Sequence, residues 1–237
     1  MDYRPSFIAI EGIDGAGKRT QIDLLAHWFD QRGTAHARIS FPRYHSFFGR
    51  LVARFLNGEF GPLAGVDAHF SALLFAGDRL EARPELQEIL HRQRKMLVTD
   101  RYIASNLAHQ TARVPAAQRE EFLAWLSELE YKLYGLPVED LVIYLRVPAT
   151  VAQRQVGQKA VRDYTTRSHD LQEADLRHLE EAAKVYDLLA RESNWVTVEC
   201  HDAAAGAMRS PEAIHQDVVR AVEQLEGMKS RGKEVGR

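Results

Sequence analysis

The feature that most constrains the fold of this chain is a glycine-rich loop between a short apolar run and a helical pattern. Residues 7–10 are apolar, and residues 21–29 carry apolar side chains at helical spacing. Between them, residues 12–18 read GIDGAGK and match the pattern G-x-x-x-x-G-K in its required strand, loop and helix context. Backbone N–H groups of such a loop point at phosphate oxygens, and Lys18 adds a mobile cation. The loop predicts a nucleotide-phosphate site; a tight glycine turn without a ligand is the alternative.

One position in the loop departs from the usual pattern. A Ser or Thr commonly follows the lysine and helps to hold Mg²⁺, whereas this chain has Arg19 there and Thr20 one place later. Arg19 either faces solvent or brings a second cation to the phosphate oxygens, and the sequence leaves both open. The residues predicted to bind ATP in this loop are Gly12, Ile13, Asp14, Gly15, Ala16, Gly17, Lys18, Arg19 and Thr20.

Short apolar runs that alternate with helical patterns predict the rest of the fold. Such alternation indicates a parallel sheet with helices on both faces, and 237 residues suit a single α/β domain. We expect five strands, one domain over residues 1–226, and a polar, basic, disordered tail over residues 227–237. Beyond the first unit, the predicted strands are 35–41, 96–99, 141–145 and 195–198, and the predicted helices are 70–80, 84–94, 116–134, 173–191 and 211–225.

Charge and composition exclude several classes of protein. A net charge of -2 gives no basic field that would hold a polynucleotide. No apolar run approaches the length that spans a membrane, and the first residues do not read as a signal peptide, so we expect a cytoplasmic protein without a membrane partner. The single cysteine, Cys200, is expected to be a small buried hydrophobe.

A charged sequence follows the apolar run that ends near Thr99. Asp100 and Arg101 come directly after it, so they are predicted to lie at the carboxyl end of a strand, where ligands of parallel sheets bind. Asp100 can hold Mg²⁺ directly or through water, and Arg101 can pair with a phosphate oxygen in the reacting region. A structural salt bridge at either residue is the alternative.

A basic segment at residues 154–172 lacks clear periodicity. It carries Arg154, Lys159, Arg162 and Arg167 among polar residues, and it reads as a basic loop. Taken alone, such a segment is most simply a solvated surface loop.

Four stretches of sequence give the chain a specific resemblance. FIAIEGIDGAGKRTQ at residues 7–21, FPRY at 41–44, LFAGDR at 74–79 and DRYIASNLAHQ at 100–110 occur in the order and spacing of the thymidylate kinases. The chain resembles this family of P-loop nucleoside monophosphate kinases over roughly residues 6–200. The resemblance implies the P-loop NTPase fold with a short basic lid at about 153–173, transfer of the γ-phosphoryl group of ATP to dTMP, Mg²⁺ as cofactor, and a homodimer.

The resemblance also implies an acceptor site. Phe75 and Arg79 lie four residues apart on a helical pattern, so the ring can stack on a pyrimidine while the guanidinium binds its edge or a phosphate; core packing of Phe75 is the alternative. Asn106 is expected to hold the base edge, Ser105 to border it, and Tyr44 to line the monophosphate pocket with its neighbours. The residues predicted to bind dTMP are Phe41, Tyr44, Phe75, Arg79, Arg101, Ser105, Asn106, His109, Asp170 and Gln172.

Further roles follow from the same resemblance. Arg154 is expected to contact ATP, Arg167 to bridge the transferring phosphoryl group with Arg162 as a second candidate, and Asp170 to order the lid. Asp14 is placed near the nucleotide sugar and its magnesium, with a turn-stabilising aspartate as the alternative. The predicted catalytic residues are Lys18, Arg101, Arg167 and Asp14, and the predicted metal ligands are Asp14, Asp100 and Glu173.

Two further departures from the family concern the acceptor site. His109 stands where some members have a Tyr next to the deoxyribose, and Gln172 stands where a lid Tyr is often found.

Two competing functions remain open: a deoxynucleoside kinase, which would need a carboxylate base for a sugar hydroxyl, and a non-catalytic ATP-binding module, which would bind without turnover.

Overall fold

A parallel sheet forms the centre of the molecule, and a computed structural model describes residues 6–156 and 175–234 of the chain. Five strands pair in the order β2-β3-β1-β4-β5, and every pairing is parallel. This confirms the predicted fold class. Their bounds are β1 Phe7–Glu11, β2 His36–Ser40, β3 Met96–Asp100, β4 Leu141–Arg146 and β5 Trp195–Glu199.

Helices connect the strands. They are α1 Lys18–Gln31, α2 Phe47–Leu56, α3 Ala68–Gln87, α4 Ile103–Thr111, α5 Arg119–Ser127, α6 Ala149–Val156, α7 Leu176–Leu189 and α8 Pro211–Glu234. Short 3₁₀ helices span Leu63–Gly65 and Ala116–Gln118, and π-helical turns extend α3 over Glu88–Arg92 and α5 over Glu128–Leu133. Two short antiparallel strands, β6 His201–Asp202 and β7 Ala207–Met208, precede α8.

The apolar strands bury both faces of the sheet. In β1, Ile8 and Ile10 pack on one face against α1, α7 and α8. Phe7 and Ala9 point to the other face, where α3, α4 and α5 cover them. Because neighbouring side chains of a strand point to opposite faces, a continuous apolar run suits a strand covered on both sides.

The structure differs from the predicted helices at several places. The two helices predicted at 70–80 and 84–94 are one helix, since α3 continues through Pro84. Ala82 and Leu86, on either side of this proline, are both buried in the core. Helix α4 was not predicted, since every residue from Ile103 to Thr111 is buried and the helix shows no polar face. Helix α6 occupies the start of the predicted basic loop. The backbone of α8 runs to Glu234, into the predicted tail. None of the helices described is long and apolar enough to cross a bilayer.

Candidate active site

The phosphate loop connects the end of β1 to the start of α1. Gly12, Gly15 and Gly17 have φ values of 141°, 89° and 90°, in the region that favours glycine. A Cβ atom on Gly15 would lie 2.1 Å from the carbonyl oxygen of Ala152 in α6. Glycine at this position therefore allows α6 to pack directly against the loop.

The Lys18 ammonium points into the loop. It is buried, and its Nζ donates to the carbonyl oxygens of Gly12 and Ile13, both at 3.0 Å. The next two side chains, Arg19 and Thr20, are exposed. Of the two interpretations left open for Arg19, the solvent-facing one describes this structure.

Arg101 joins the loop to the end of β3. Its Nη2 donates to Asp14 Oδ1 at 2.7 Å, and its Nη1 donates to the Gly12 carbonyl at 3.1 Å and to Ser105 Oγ at 3.0 Å. Burial disfavours the charged guanidinium, but Asp14, with smaller effects of Tyr186 and Glu11, outweighs burial and raises the pKa of Arg101 well above its ordinary value. The guanidinium is thus a permanent cation whose direction is fixed by several acceptors.

A buried carboxylate that the sequence interpretation did not assign supports this arrangement. Glu11, fully buried at the end of β1, accepts from the backbone N–H groups of Tyr102 and Ser105 at 2.7 and 3.2 Å. It thereby caps the N-terminus of α4, where orphan N–H groups need an acceptor. Its other oxygen accepts from Ser105 Oγ at 2.6 Å and Tyr186 OH at 2.8 Å. The one sequence signal was an acid at the end of an otherwise apolar strand.

A pocket opens beyond the carboxyl ends of β1 and β3. It brings together all eight of the predicted acceptor-site residues that lie in the described parts of the chain, and it includes Asp14 from the phosphate loop. The residues that line it are Asp14, Phe41, Pro42, Tyr44, Leu56, Phe75, Arg79, Arg101, Ser105, Asn106, His109 and Gln110.

Arg79 reaches the pocket but has a strong internal partner. Its Nε and Nη2 form a bidentate salt bridge with the Glu130 carboxylate, in which Nη2 lies 2.6 Å from Oε1. Both side chains are buried. Burial lowers the pKa of Arg79, but the Glu130 carboxylate outweighs burial and raises it. The sequence interpretation did not foresee Glu130, because it lies on a π-helical turn far along the chain.

Asn106 presents an acceptor whose direction is determined by its neighbours. Its Nδ2 donates to the Ala72 carbonyl at 3.0 Å and to Glu130 Oε1 at 2.8 Å. Since both partners are acceptors, the amide orientation is settled, and Oδ1 is left buried without a partner among residues 6–156 and 175–234. An acceptor of this kind on a residue that lines the pocket can receive a hydrogen bond from a ligand.

The loop that carries Phe41 and Tyr44 is held by Asp78 of α3. The buried Asp78 carboxylate accepts from the Arg43 backbone N–H at 2.7 Å and from Ser46 Oγ at 2.7 Å. Asp78 is part of the LFAGDR match, but no role was predicted for it. The contact attaches this loop to the same helix that carries Phe75 and Arg79.

The remaining predicted residues lie away from the pocket lining or outside the described chain. Arg154 is exposed on α6, and Asp100 ends β3 opposite Ile10 of β1. In residues 6–156 and 175–234 no group of three His, Cys, Asp or Glu side chains could hold a metal ion. Arg162, Arg167, Asp170, Gln172 and Glu173, together with most of the predicted lid, lie outside the described residues.

A phosphate loop after the central strand of a parallel sheet, beside a pocket with a fixed guanidinium, defines a P-loop phosphotransferase. The thymidylate kinase family model matches residues 10–216. The chain belongs to the thymidylate kinase family, which confirms the family predicted from the sequence motifs.

Individual relatives agree with the family match. A thymidylate kinase of Mycobacterium tuberculosis is 36% identical over 195 residues, which cover 81% of this chain and 90% of that protein. A probable thymidylate kinase of Thermococcus gammatolerans is 31% identical over 222 residues, covering 92% and 96%. The solved thymidylate kinase of Candida albicans superposes with a TM-score of 0.73 at 20% identity, over 94% of this chain and 93% of that one.

Proposed function

We propose that this chain transfers the γ-phosphoryl group of ATP to dTMP and produces dTDP and ADP, a step towards dTTP. The observation that carries the choice of acceptor is Asn106, which lines the pocket and whose buried Oδ1 has no donor in the part of the chain that the structure describes. A thymine base has an N–H at ring position 3, which can donate to this oxygen. A cytosine base has a lone pair at the same position, which would leave Asn106 Oδ1 unsatisfied and facing another acceptor.

The apolar side of the pocket supports a flat pyrimidine with a methyl group. Phe75, Phe41 and Leu56 lie on this side, and the Phe55 ring meets the Phe75 ring edge-on with centroids 6.1 Å apart. The edge contact leaves a face of the Phe75 ring available for offset stacking.

The two cations at the phosphate end suit phosphoryl transfer. The acceptor phosphate is already a nucleophile, so the reaction needs alignment and charge neutralisation rather than a strong base. Lys18 belongs to the loop that cradles the donor phosphates, and Arg101 lies between that loop and the pocket. In this proposal Arg101 contacts the phosphate oxygens of both substrates, and Asp14 fixes its direction.

The acidic side chains at this end suit Mg²⁺ as the cofactor. Magnesium prefers oxygen ligands and binds through one or two carboxylates together with substrate phosphates and water. Asp14 lies in the loop and Asp100 ends the neighbouring strand, so these two would hold the ion, and Glu173 remains a predicted third ligand. Bound Mg²⁺ would neutralise charge on the donor phosphates. With Arg19 in the usual Ser or Thr position, the carboxylates become the main protein ligands.

An acceptor screen tests the proposal. Purified full-length protein with ATP and Mg²⁺ should release ADP rapidly with dTMP and slowly with dCMP or AMP. Equal or faster turnover of dCMP or AMP would contradict the assigned acceptor. Phosphorylation of thymidine in place of dTMP would identify a deoxynucleoside kinase, and ATP binding without any turnover would identify a non-catalytic module.

We also infer that two copies of the chain associate. Helix α3 exposes Phe70 and Leu73, one helical turn apart, by 44% and 40%, and α2 exposes Phe47 by 58%. A contiguous exposed apolar patch commonly marks an interface, and Phe70 and Leu73 form the candidate patch on α3. Light scattering should give a dimer, and the double substitution F70E/L73E should give a monomer; a monomeric native chain would contradict the inference.

A further inference from the structure

Two side chains of α7 reach the residues that orient Arg101. Tyr186 lies 3.0 Å from Ser105 Oγ through its hydroxyl, and His178 lies two turns earlier on the same helix. His178 Nε2 is 3.2 Å from Nδ1 of His109, and both rings are buried. His109 in turn lines the pocket, with its Nε2 at 3.5 Å from Arg101 Nη1. The contacts form a chain from α7 to the guanidinium.

Both rings of this histidine pair are neutral at physiological pH. Burial, with the positive charge of Arg101 and the adjacent His178, lowers the pKa of His109 well below its ordinary value. Burial, with Arg113, lowers the pKa of His178 to about 4. A neutral imidazole has one N–H donor and one acceptor nitrogen, so each ring exists as one of two tautomers.

The cation next to His109 determines which tautomer is present. Arg101 is always charged, so the nitrogen that faces it must present a lone pair, and His109 Nε2 is therefore unprotonated. The proton of His109 is then on Nδ1, from which it donates to Nε2 of His178. His178 must accept, so its own proton is on Nδ1. The hydrogen bonds from Arg101 to His109 and from His109 to His178 therefore all run in one direction.

We propose that His178 is a positioning residue: by accepting from His109 Nδ1 it fixes the His109 tautomer, and the His109 lone pair then helps to direct the Arg101 guanidinium. Asp175 caps the N-terminus of α7 by accepting from the His178 backbone N–H at 3.2 Å, which fixes the backbone that carries the ring. Without an acceptor at position 178, His109 can take the other tautomer, which points an N–H at the cation. The role of Arg101 in phosphoryl transfer rests on the proposed function, whereas the inferred tautomer of His109 is independent of what the protein catalyses.

Nitrogen NMR of the native protein tests the tautomer directly. In the full-length chain with ¹⁵N-labelled histidine, two-bond proton couplings distinguish protonated from unprotonated ring nitrogens, and the spectrum of H178Q assigns the pair. We expect His109 to be protonated at Nδ1 and unprotonated at Nε2. A native His109 protonated at Nε2 would overturn the proposal, whatever the protein catalyses.

Kinetics of two variants test the positioning role. H178L removes the acceptor and should lower kcat with dTMP about tenfold, the effect of one lost orienting hydrogen bond, with KM for ATP unchanged. H178Q places an amide oxygen where Nε2 was, and it should keep kcat within about threefold of the native value. H215L is the matched control, because His215 is a half-buried histidine of α8 that does not line the pocket, and this variant should keep native kcat.

The outcomes separate this inference from the proposed function. Low kcat in H178L with recovery in H178Q supports the positioning role. Native kcat in folded H178L, or equal losses in H178L and H178Q at equal thermal stability, overturns it. If H178L does not fold, H178Q and the native NMR spectrum decide. A native protein that does not phosphorylate dTMP contradicts the proposed function, and the NMR result still decides the tautomer.

Discussion

Arg101 has an unusual backbone as well as a crowded side chain. Its φ of 64° lies in the left-handed region, which costs a residue with a side chain roughly 1 kcal/mol or more. The hydrogen bonds to Asp14, Ser105 and the Gly12 carbonyl keep the guanidinium in one direction at the junction of loop and pocket. A strained backbone with a fixed cation is typical of a residue retained for its chemistry.

The first prediction concerns removal of this cation. R101A should lower kcat by about 10²- to 10³-fold, on the order of 3–4 kcal/mol of transition-state stabilisation. Steady-state kinetics with dTMP measure it, and R38A is the control, since Arg38 is 48% exposed and pairs with Asp23 at the surface. A kinetically silent R101A would return Arg101 to the structural salt bridge that the sequence left as an alternative.

A second residue-scale prediction concerns a carboxyl group remote from the pocket. Glu139 is buried and accepts from Tyr131 OH at 2.9 Å. Burial, with the nearby carboxylates Glu11 and Glu130, raises the pKa of Glu139 from its ordinary value of 4.5 to about 8. Because the folded state binds this proton more tightly, its stabilising contribution is full below pH 4.5 and is lost as the pH rises towards 8.

The substitution E139Q removes this titration. Between pH 5 and 8 the native chain should lose stability relative to E139Q, by at most about 1.4 kcal/mol per pH unit. Thermal denaturation at several pH values measures the difference. E128Q is the control, because Glu128 is 60% exposed and should show no such trend. Parallel stability curves for the native chain and E139Q would mean that Glu139 is ionised in the folded state.

At the scale of elements, the acceptor pocket depends on how α2 and α3 meet the loop after β2. Asp78 of α3 holds that loop by accepting from Arg43 and Ser46. Gly49 of α2 approaches it so closely that a Cβ atom would lie 1.8 Å from the Arg43 carbonyl oxygen. The start of α2 can lie against the loop only with glycine at this position.

A pair of glycine substitutions tests this packing. G49A should destabilise the protein by about 2 kcal/mol or more and weaken dTMP binding, because α2 or the loop must move. G227A in α8 has open space around its Cβ position and should be neutral or stabilising by up to about 1 kcal/mol. Thermal denaturation and dTMP titration measure both. Similar behaviour of the two variants would contradict the close approach of α2.

The elements also show which sequence signals were sufficient. The sequence predicted every strand of the main sheet to within a residue or two. The central strands β1, β3 and β4 are continuously hydrophobic because both of their faces are buried, whereas the edge strands β2 and β5 are partly exposed. Helix α4 was not found, since a helix buried on all sides has no amphipathic period. The same helix carries Ser105, Asn106 and His109, so its residues were identified by motif rather than by pattern.

At the scale of the whole molecule, ligand binding should be visible as stability. The pocket is lined by residues of the phosphate loop, the loop after β2, the turn after β3, and helices α2, α3 and α4, so a bound acceptor contacts several elements at once. A ligand that binds only the folded state stabilises it by about 2.7 kcal/mol at one hundred times its Kd.

The last prediction uses this linkage to test acceptor recognition without catalysis. dTMP at saturating concentration should raise the melting temperature by about 5–10 °C for a chain of this size, and dCMP at the same concentration should raise it much less. Differential scanning fluorimetry without ATP measures both. Equal shifts would mean that Asn106 Oδ1 does not select the base, even if turnover of dTMP is observed.

The amino-acid sequence by itself determined the strands of the main sheet, the phosphate loop and the family. These depend on short stretches of chain: apolar runs, glycines at defined spacing and motifs of a few residues. Only the tertiary structure decided which side chains hold the chemical groups in place. Glu11, Glu130 and His178 contact Ser105, Arg79 and His109 across large separations in sequence. A local sequence pattern does not predict such contacts, because they form only when the sheet and its helices pack together and bury these polar groups beside one another.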